Sequence, residues 1–242
     1  MNAEKRCFIL RQANPNEKAL SSISMKYTLF FVLAYTLVTQ KAGASPVAVQ
    51  SADTLNLPLV ALLDTIRHDD QYYRKKVDVM QEDSTVSYKE VEVMWNLIIQ
   101  KDSINTSRVT QLLDERGWPP IKEIGRRGSL TIFLVIQHAD SATQEKYLPV
   151  VKKAVDDKKL DKEAFAMLED RLLLRRGQKQ IYGTQLFTNP NGIYYVRPMI
   201  DPEHVDERRS QMNMQPMSEY LKNFNMTWSV PAYEKALKAA GR

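Results

Sequence analysis

Apolar residues recur at helical spacing along most of the chain. Over residues 57–73 they return every three or four positions, which predicts a first helix with the polar run 68–71 on its solvent side. The same spacing predicts a second helix over residues 88–101. A third helix is expected to be capped by Asn105 or the residue after it. It should end at Gly117, because glycine just past the last apolar turn commonly stops a helix.

Residues 130–136 form the most apolar segment outside the N-terminal leader. Their β-branched side chains favour a buried strand, whereas the helices predicted on both sides favour a buried helix. We predict a central buried helix. Ser141 and Gln144 have the spacing of a capping box, which predicts a further helix over residues 141–156. Another helix follows over residues 161–177.

After Gly177 the pattern changes to aromatic and β-branched runs over residues 180–187 and 193–197. They flank an Asn-Gly turn, so they predict a β-hairpin. Short helices complete the chain, and they begin near Asp201, Pro216 and Pro231. The expected fold class is therefore mainly α, as a single compact helical domain over residues 57–242 with one small β-hairpin near residues 180–198.

The N-terminal 44 residues have the features of a leader. Met25-Lys26 precedes a short apolar run over residues 27–38, and Ala42-Gly43-Ala44 follows it, as in a secretory signal peptide. The run is shorter than the roughly 20 apolar residues that span a bilayer as a helix. We expect translation to start at Met25, cleavage after Ala44 and a linker over residues 45–56. The product would be periplasmic or secreted, without stable membrane insertion; the alternative is an uncleaved N-terminal anchor.

Charge and cysteine content exclude several classes of partner and site. The whole chain has 34 basic and 29 acidic residues, and the leader holds six and two of them, which leaves 28 and 27. A nearly neutral domain gives no charge-based case for nucleic acid, so we expect no nucleic acid among its partners. The single cysteine, Cys7, lies in the leader, so the mature chain has no disulfide or thiol nucleophile.

His138 is the most informative single residue, because it directly follows the apolar segment. In a structural interpretation, its ring donates to the free carbonyl groups at a helix C-terminus. In a functional interpretation, it is a general base or a metal ligand, with Asp140 nearby to orient it. Asp140 fits that role only if the helix ends between the two residues, because helical residues two apart do not share a face.

Asp170 and Arg171 lie in a strongly apolar predicted helix. Neighbouring helical residues point about 100° apart, so each needs a partner elsewhere. We expect Asp170 to pair with Arg208 or Arg209. Buried ion pairs of this kind usually support the fold.

The first strand of the predicted hairpin carries a row of polar side chains on one face. The members of this row are Gln178, Gln180, Tyr182 and Thr184, with Gln185 on the other face. Such a row is either a solvated face or a hydrogen-bonding wall for a polar ligand. The three histidines are far apart in sequence and lack cysteine support, so we predict no metal site and no cofactor.

Six short motifs follow one another in the chain: Asp70-Gln71 with Arg74, Gly117-Trp118-Pro119, Gln137-His138-Ala139-Asp140, Asp170-Arg171, Gly177-x-x-Gln180-x-Tyr182-Gly183-Thr184-Gln185, and Asp201-Pro202-Glu203-x-Val205-Asp206-Glu207-Arg208-Arg209. Together they resemble an uncharacterised bacterial family of unknown function over about residues 57–221. Pro120 and residues 212–214 depart from its pattern. The resemblance implies a helical fold and no known activity. It also suggests one shared neighbourhood for Gln71, His138, Asp140, Arg171, Gln180, Tyr182, Gln185 and Arg208.

Two functions are consistent with this sequence. The first is an exported non-catalytic binding or interaction domain, with a polar site around segments 137–140 and 178–185 and a small polar ligand or a protein as partner. The second is a hydrolase or lyase; its candidate residues are His138 as acid or base, Asp140 or Asp170 to orient it, and Arg171 or Arg208 to hold an anionic group. The sequence contains no catalytic signature motif, which favours the first function.

Overall fold

The computed structural model describes residues 55–83, 85–188 and 194–239. The leader over residues 1–44 and nearly all of the linker lie outside them, so both stay predictions. Contacts divide the chain into two compact units, an N-terminal unit that ends at Leu168 and a C-terminal unit that begins at Glu169. The single domain expected over residues 57–242 also stays a prediction.

The described residues form mainly α-helices. The N-terminal unit contains α1 (Leu57–Glu82), α2 (Tyr88–Arg116), α3 (Ile121–His138) and α4 (Ser141–Asp156), and α5 (Lys162–Arg175) runs across the boundary. The C-terminal unit continues with β1 (Leu186–Thr188), β2 (Tyr194–Val196), a 3₁₀ turn (Pro202–His204), α6 (Val205–Gln211), α7 (Met217–Lys222) and α8 (Val230–Ala239). The predicted mainly α fold with one small hairpin is confirmed.

Helix α3 lies at the centre of the N-terminal unit. It packs against α1, α2 and α4, and α1 also packs against α2. Residues 132–136 of α3 are at most 2% exposed. This confirms the predicted central buried helix. A helical segment that contacts neighbours on several sides needs apolar residues all round, which explains why residues 130–136 lack a polar face.

Helix α2 is longer than the sequence pattern predicted. Ser87 and Glu90 form a capping box at its start, in which the Glu90 side chain accepts from the Ser87 amide at 2.8 Å. The helix then runs without a break to Gly117, whose φ of 67° ends it as expected. The prediction of two separate helices here is wrong. Asn105 is 1% exposed and lies inside α2, not at a cap.

Asp140 joins α3 to α4. It is the N-cap of α4, and its Oδ1 accepts a hydrogen bond from the Thr143 amide at 2.8 Å. The capping box expected from Ser141 and Gln144 is therefore wrong. The Gln144 side chain instead donates to the Gln137 carbonyl at 2.7 Å and fixes the turn from inside.

The C-terminal unit is built around the hairpin and the short helices that follow it. Leu186 pairs with Val196 and Thr188 pairs with Tyr194 in an antiparallel register, while the Asn-Gly turn lies outside the described residues. The first strand begins at Leu186, so the strand expected from Gln180 onward is shorter than predicted. A buried cluster supports the unit: Val196, Met199, Val205, Met217, Leu221 and Tyr233.

Candidate functional site

A polar layer lies in the N-terminal unit between α1, α2 and the C-terminal end of α3. It consists of Asp70, Arg74, Asp102, Asn105 and His138. Asp70 and Asn105 are each 1% exposed, and the His138 side chain is 7% exposed. Asp102 lies at the edge, with 20% of its side chain exposed. Charged groups are almost never buried to this extent unless they are paired, which makes the polar layer the candidate site.

The carboxylate of Asp70 is the centre of the polar layer. Its Oδ1 lies 2.7 Å from His138 Nδ1 and 3.3 Å from Arg74 Nη1. Its Oδ2 accepts from Gln71 Nε2 at 2.6 Å. Arg74 also donates to the Asp70 carbonyl at 2.7 Å, which fixes the guanidinium one turn further along α1. Three neighbouring side chains therefore bind one buried carboxylate.

The electrostatics of the layer assign its protonation state. Burial alone raises the pKa of Asp70, but the contacts with His138, Arg74 and Gln71 outweigh burial and hold that pKa well below its ordinary value. Burial lowers the pKa of His138, although Asp70 opposes this shift. At neutral pH Asp70 is thus ionised and His138 is neutral. An ionised carboxylate only accepts hydrogen bonds, so the His138 proton lies on Nδ1 and is donated to Asp70.

Arg74 connects the two carboxylates of the layer. Its Nη2 lies 2.6 Å from Asp102 Oδ2, while Nη1 contacts Asp70. Burial raises the pKa of Asp102 above its ordinary value, and Arg74 only partly offsets that effect. Beside this contact, Lys101 Nζ lies 3.0 Å from Asp69 Oδ2 and forms a second ion pair between α1 and α2.

Two acceptor atoms of the layer are buried without a hydrogen-bond partner among the described residues. They are Asp102 Oδ1 and Asn105 Oδ1, which lie one turn apart on α2. The Asn105 amide nitrogen faces the Ile66 carbonyl at 3.5 Å, so the side chain projects toward α1. Arg67 Nη1, on α1, is a buried donor that also lacks a hydrogen-bond partner among the described residues. Buried polar atoms are nearly always paired, so each exception needs an explanation.

Asp70 takes the position beside His138 in which we expected Asp140. The Asp140 carboxylate caps α4, and the Thr143 amide holds its pKa below the ordinary value. The sequence also placed residues 68–71 on the solvent side of α1, whereas Asp70 is buried. A signal for this was present, since Asp70 follows Ile66 by four positions and precedes Val77 by seven, in phase with the apolar stripe.

The C-terminal unit contains a second buried aspartate, Asp170. Its carboxylate accepts from the backbone amides of Ile181 at 2.6 Å, of Tyr182 at 3.0 Å and of Thr184 at 3.0 Å, and from the Thr184 hydroxyl at 2.9 Å. We name residues 177–185, which curve around this carboxylate, the amide loop. Burial raises the pKa of Asp170, and the hydrogen bonds of the loop oppose the shift.

Two arginines bind the carbonyl groups of the amide loop. Arg208 Nε donates to the Ile181 carbonyl at 2.9 Å, and Arg209 Nη1 donates to the Tyr182 carbonyl at 2.7 Å. We expected one of them to pair with Asp170. The peptide groups between them take that place: their N–H groups point to the carboxylate and their C=O groups to the guanidinium groups.

The polar side chains of the amide loop mostly serve the loop itself. Gln180 is fully buried, donates to the Gln185 and Arg197 carbonyls and accepts from the Gln185 amide. Burial and the Glu169 carboxylate raise the pKa of Tyr182 to about 12, so its hydroxyl stays protonated at neutral pH. The polar row predicted on a strand face is therefore wrong, because this segment is not a strand.

The residues expected to share one neighbourhood divide between the two units. Gln71 and His138 meet at Asp70 in the N-terminal unit, through the contacts given above. Gln180, Tyr182, Gln185 and Arg208 meet in the C-terminal unit around the amide loop, and Arg171 is buried on α5. A single neighbourhood for all of them stays a prediction.

The described residues form neither a metal-binding cluster nor a membrane-spanning helix. Over residues 55–83, 85–188 and 194–239, no group of three or more His, Cys, Asp or Glu side chains is placed to hold a metal ion. Over the same ranges, no helix is both long enough and apolar enough to cross a membrane.

Comparisons with known proteins identify a family. No curated protein and no solved structure matches the chain. A family model does match, over residues 60–231, which include the polar layer and the amide loop. This confirms the resemblance to a family of unknown function that the motifs indicated. The chain belongs to the family of unknown function DUF6624.

Proposed function

We propose that this protein is an exported, non-catalytic binding domain whose polar layer holds a small polar ligand. The observation that carries the proposal is a group of four side chains between three helices, a buried carboxylate, a partly buried carboxylate, a guanidinium and an imidazole. Two acceptor atoms there, one of Asp102 and one of Asn105, are left without a partner in the described chain. Binding sites commonly combine mostly apolar surroundings with a few polar groups in fixed positions.

The energetic argument favours function over stability for this layer. Burying charges costs several kcal/mol per ion, on the order of what a good ion pair returns, and apolar side chains of the same volume often stabilise a fold more. A partly satisfied polar network is worse still than an apolar core. A layer in which Asp102 Oδ1 and Asn105 Oδ1 have no hydrogen-bond partner among the described residues therefore contributes little to stability and is better suited to recognition.

The amide loop supports the fold in this proposal. Its peptide groups at residues 181, 182 and 184 already bond Asp170, Arg208 and Arg209. A ligand that needed those peptide groups would have to displace internal hydrogen bonds. The polar layer has buried acceptor atoms that require no displacement.

A binding screen tests the proposal. Purified protein is heated with a panel of small polar compounds, and a ligand that binds only the folded state raises Tm with its concentration. The Asp102→Asn variant should lose the shift, and Asp114→Asn should keep it, because Asp114 is an exposed carboxylate on the same helix. A shift that survives Asp102→Asn, or a panel without any shift, would contradict the proposal.

The contact between Asp70 and His138 favours a second function, that of a hydrolase or lyase. A base held by a carboxylate at 2.7 Å has the geometry of an oriented general acid or base. General acid–base catalysis contributes about 10²–10⁴-fold to a rate. Any hydrolysis or elimination by this protein should fall by about that factor in His138→Gln and remain in His204→Gln, an exposed histidine that also contacts an aspartate. Equal activity in both variants would exclude His138 as the acid or base.

Export rests on the leader sequence over residues 1–44. N-terminal sequencing of protein from the periplasm or the medium should give Ser45 as the first residue. Protein that remains in the membrane fraction with its leader attached would support the uncleaved anchor instead.

A further inference from the structure

We infer that the edge of the polar layer formed by Asp102 and Asn105 binds a protonated primary amine. The inference rests on the proposed binding function and names its ligand class. On this face of α2, two atoms lack a partner within the part of the chain that the structure describes, and both are acceptors, Asp102 Oδ1 and Asn105 Oδ1. The complementary group must therefore donate hydrogen bonds.

The positions of these two acceptors allow one donor group to reach both. Residues three apart on a helix have Cβ atoms about 5–6 Å apart and share a face. Both side chains project toward α1, because Asp102 contacts Arg74 and Asn105 faces the Ile66 carbonyl. An ammonium group carries three N–H donors on one compact atom, so it can serve two oxygens that converge from one side.

The charge of Asp102 favours a cation over a neutral donor. Arg74 occupies Oδ2 of this carboxylate and leaves Oδ1 without a donor in the described chain. Burial raises the pKa of Asp102 even with Arg74 in place, so one guanidinium does not fully offset its desolvation. A second cation at Oδ1 would add a charge-assisted hydrogen bond, which is about twice as strong as a neutral one.

Asp102 lies at the surface edge of the layer, although the two acceptor oxygens themselves are buried. Asn105 is 1% exposed, whereas 20% of the Asp102 side chain reaches solvent. A ligand would thus place its ammonium group inside and keep its remaining atoms toward the surface between α1 and α2. Small primary amines fit this arrangement better than cations whose nitrogen carries no hydrogen.

Two salts of equal charge test the inference in the intact protein. Methylammonium chloride should raise Tm in a saturable way, and tetramethylammonium chloride at equal concentration should not, because it has no N–H donor. Asp102→Asn and Asn105→Leu should each weaken the apparent affinity by about tenfold or more. Asp114→Asn should bind like the unchanged protein. Equal shifts with both salts, or unchanged binding in Asp102→Asn, would overturn the inference.

A spectroscopic measurement covers the case in which Asn105→Leu does not fold. In the unchanged protein, methylammonium should shift the side-chain carboxyl ¹³C signal of Asp102 and the side-chain amide signals of Asn105, and leave the Asp114 carboxyl signal in place. An Asp102 carboxyl that is already protonated at pH 7 would donate its own hydrogen to Asn105, and this result would also overturn the inference.

The two proposals fail in distinguishable ways. If methylammonium has no effect but a neutral compound from the screen binds and depends on Asp102, the amine class is wrong and the binding function stands. If neither binds, both proposals fall.

Discussion

Asp70 and Asp170 are both buried aspartates, 1% and 0% exposed, but their surroundings differ in kind. In the N-terminal unit Asp70 is bound by the side chains of Gln71, Arg74 and His138. In the C-terminal unit Asp170 is bound by three backbone amides and one hydroxyl. The side chains around Asp70 can rotate and include an ionisable imidazole, whereas the peptide groups of the amide loop are held by the backbone and do not ionise near neutral pH.

The pKa directions of the two carboxyl groups reflect this difference. Burial acts to raise the pKa of both Asp70 and Asp170. At Asp70 the nearby cationic and hydrogen-bonding side chains outweigh burial, and the pKa falls. At Asp170 the amides do not outweigh burial, and the pKa rises. The comparison shows that burial alone does not identify a functional carboxylate. The partners of each carboxylate distinguish Asp170, which holds the amide loop in place, from Asp70, which belongs to the candidate site.

The largest expected effect is at Asp170. Asp170→Asn places an amide N–H₂ against donors that point at a carboxylate oxygen, and the loop backbone cannot turn away. Each buried donor left without an acceptor costs about 1–3 kcal/mol, so we expect a loss of about 3–4 kcal/mol in the free energy of unfolding. Urea denaturation measures it. Asp161→Asn, at an exposed carboxylate, should change stability by less than about 0.5 kcal/mol.

A small loss in Asp170→Asn would mean that the amide loop does not depend on this carboxylate. Hydrogen exchange gives a second measure, because the amides of Ile181, Tyr182 and Thr184 should lose protection before the rest of the C-terminal unit. Uniform loss of protection across the unit would contradict a local role for Asp170.

The elements that the sequence predicted correctly are those determined by residues close together in the chain. The apolar stretch over residues 130–136 can only be buried, and Gly117 ends α2 because it adopts a φ of 67°. The hairpin strands follow from β-branched and aromatic residues beside the predicted turn. These features needed no knowledge of distant partners.

The features that the sequence did not predict depend on distant partners. His138 lies 68 positions from Asp70, so no local spacing points from one to the other. Asp102 and Asn105 were missed because polar residues there suggested a break between two helices. Both lie in phase with the buried Ile98 and Val109, and that phase was the available signal for a continuous α2 with an interior polar face.

The next largest effect is expected at the contact between Asp70 and His138. Asp70→Asn keeps one acceptor for the imidazole and leaves the contact between Arg74 and Asp102 in place. We therefore expect the free energy of unfolding to fall by about 2–3 kcal/mol. A double-mutant cycle with His138→Gln should give a coupling energy of about 1–2 kcal/mol. Both are measured by urea denaturation.

The matched control is the exposed pair of Asp201 and His204, whose atoms lie 2.9 Å apart. Its coupling in the same cycle should be close to zero, since exposed pairs are weak and solvent screens them. Similar coupling energies in the two pairs would mean that burial does not strengthen the contact between Asp70 and His138. The distinction between a buried and an exposed Asp–His pair would then fail.

The smallest expected effect is a pH dependence that originates in His138. Burial holds the folded-state pKa of this imidazole below its ordinary value. Below about pH 6.5 the unfolded chain therefore takes up a proton that the folded chain does not, and stability decreases as pH falls. Between pH 7 and pH 5 this contribution should reach up to about 2 kcal/mol. Urea denaturation at several pH values measures it, and His138→Gln should flatten the profile.

Two other groups affect the same profile with the opposite sign. The pKa values of Asp102 and His204 are raised in the folded state, so each contributes stability that is lost as pH rises through that folded pKa. Removing one of them should make the decrease toward pH 5 steeper. His204→Gln should therefore steepen the profile or leave it unchanged, and His138→Gln should flatten it. If both variants change the slope of stability against pH in the same direction, burial does not keep His138 neutral. His138 would then titrate in the same direction as the surface histidine His204.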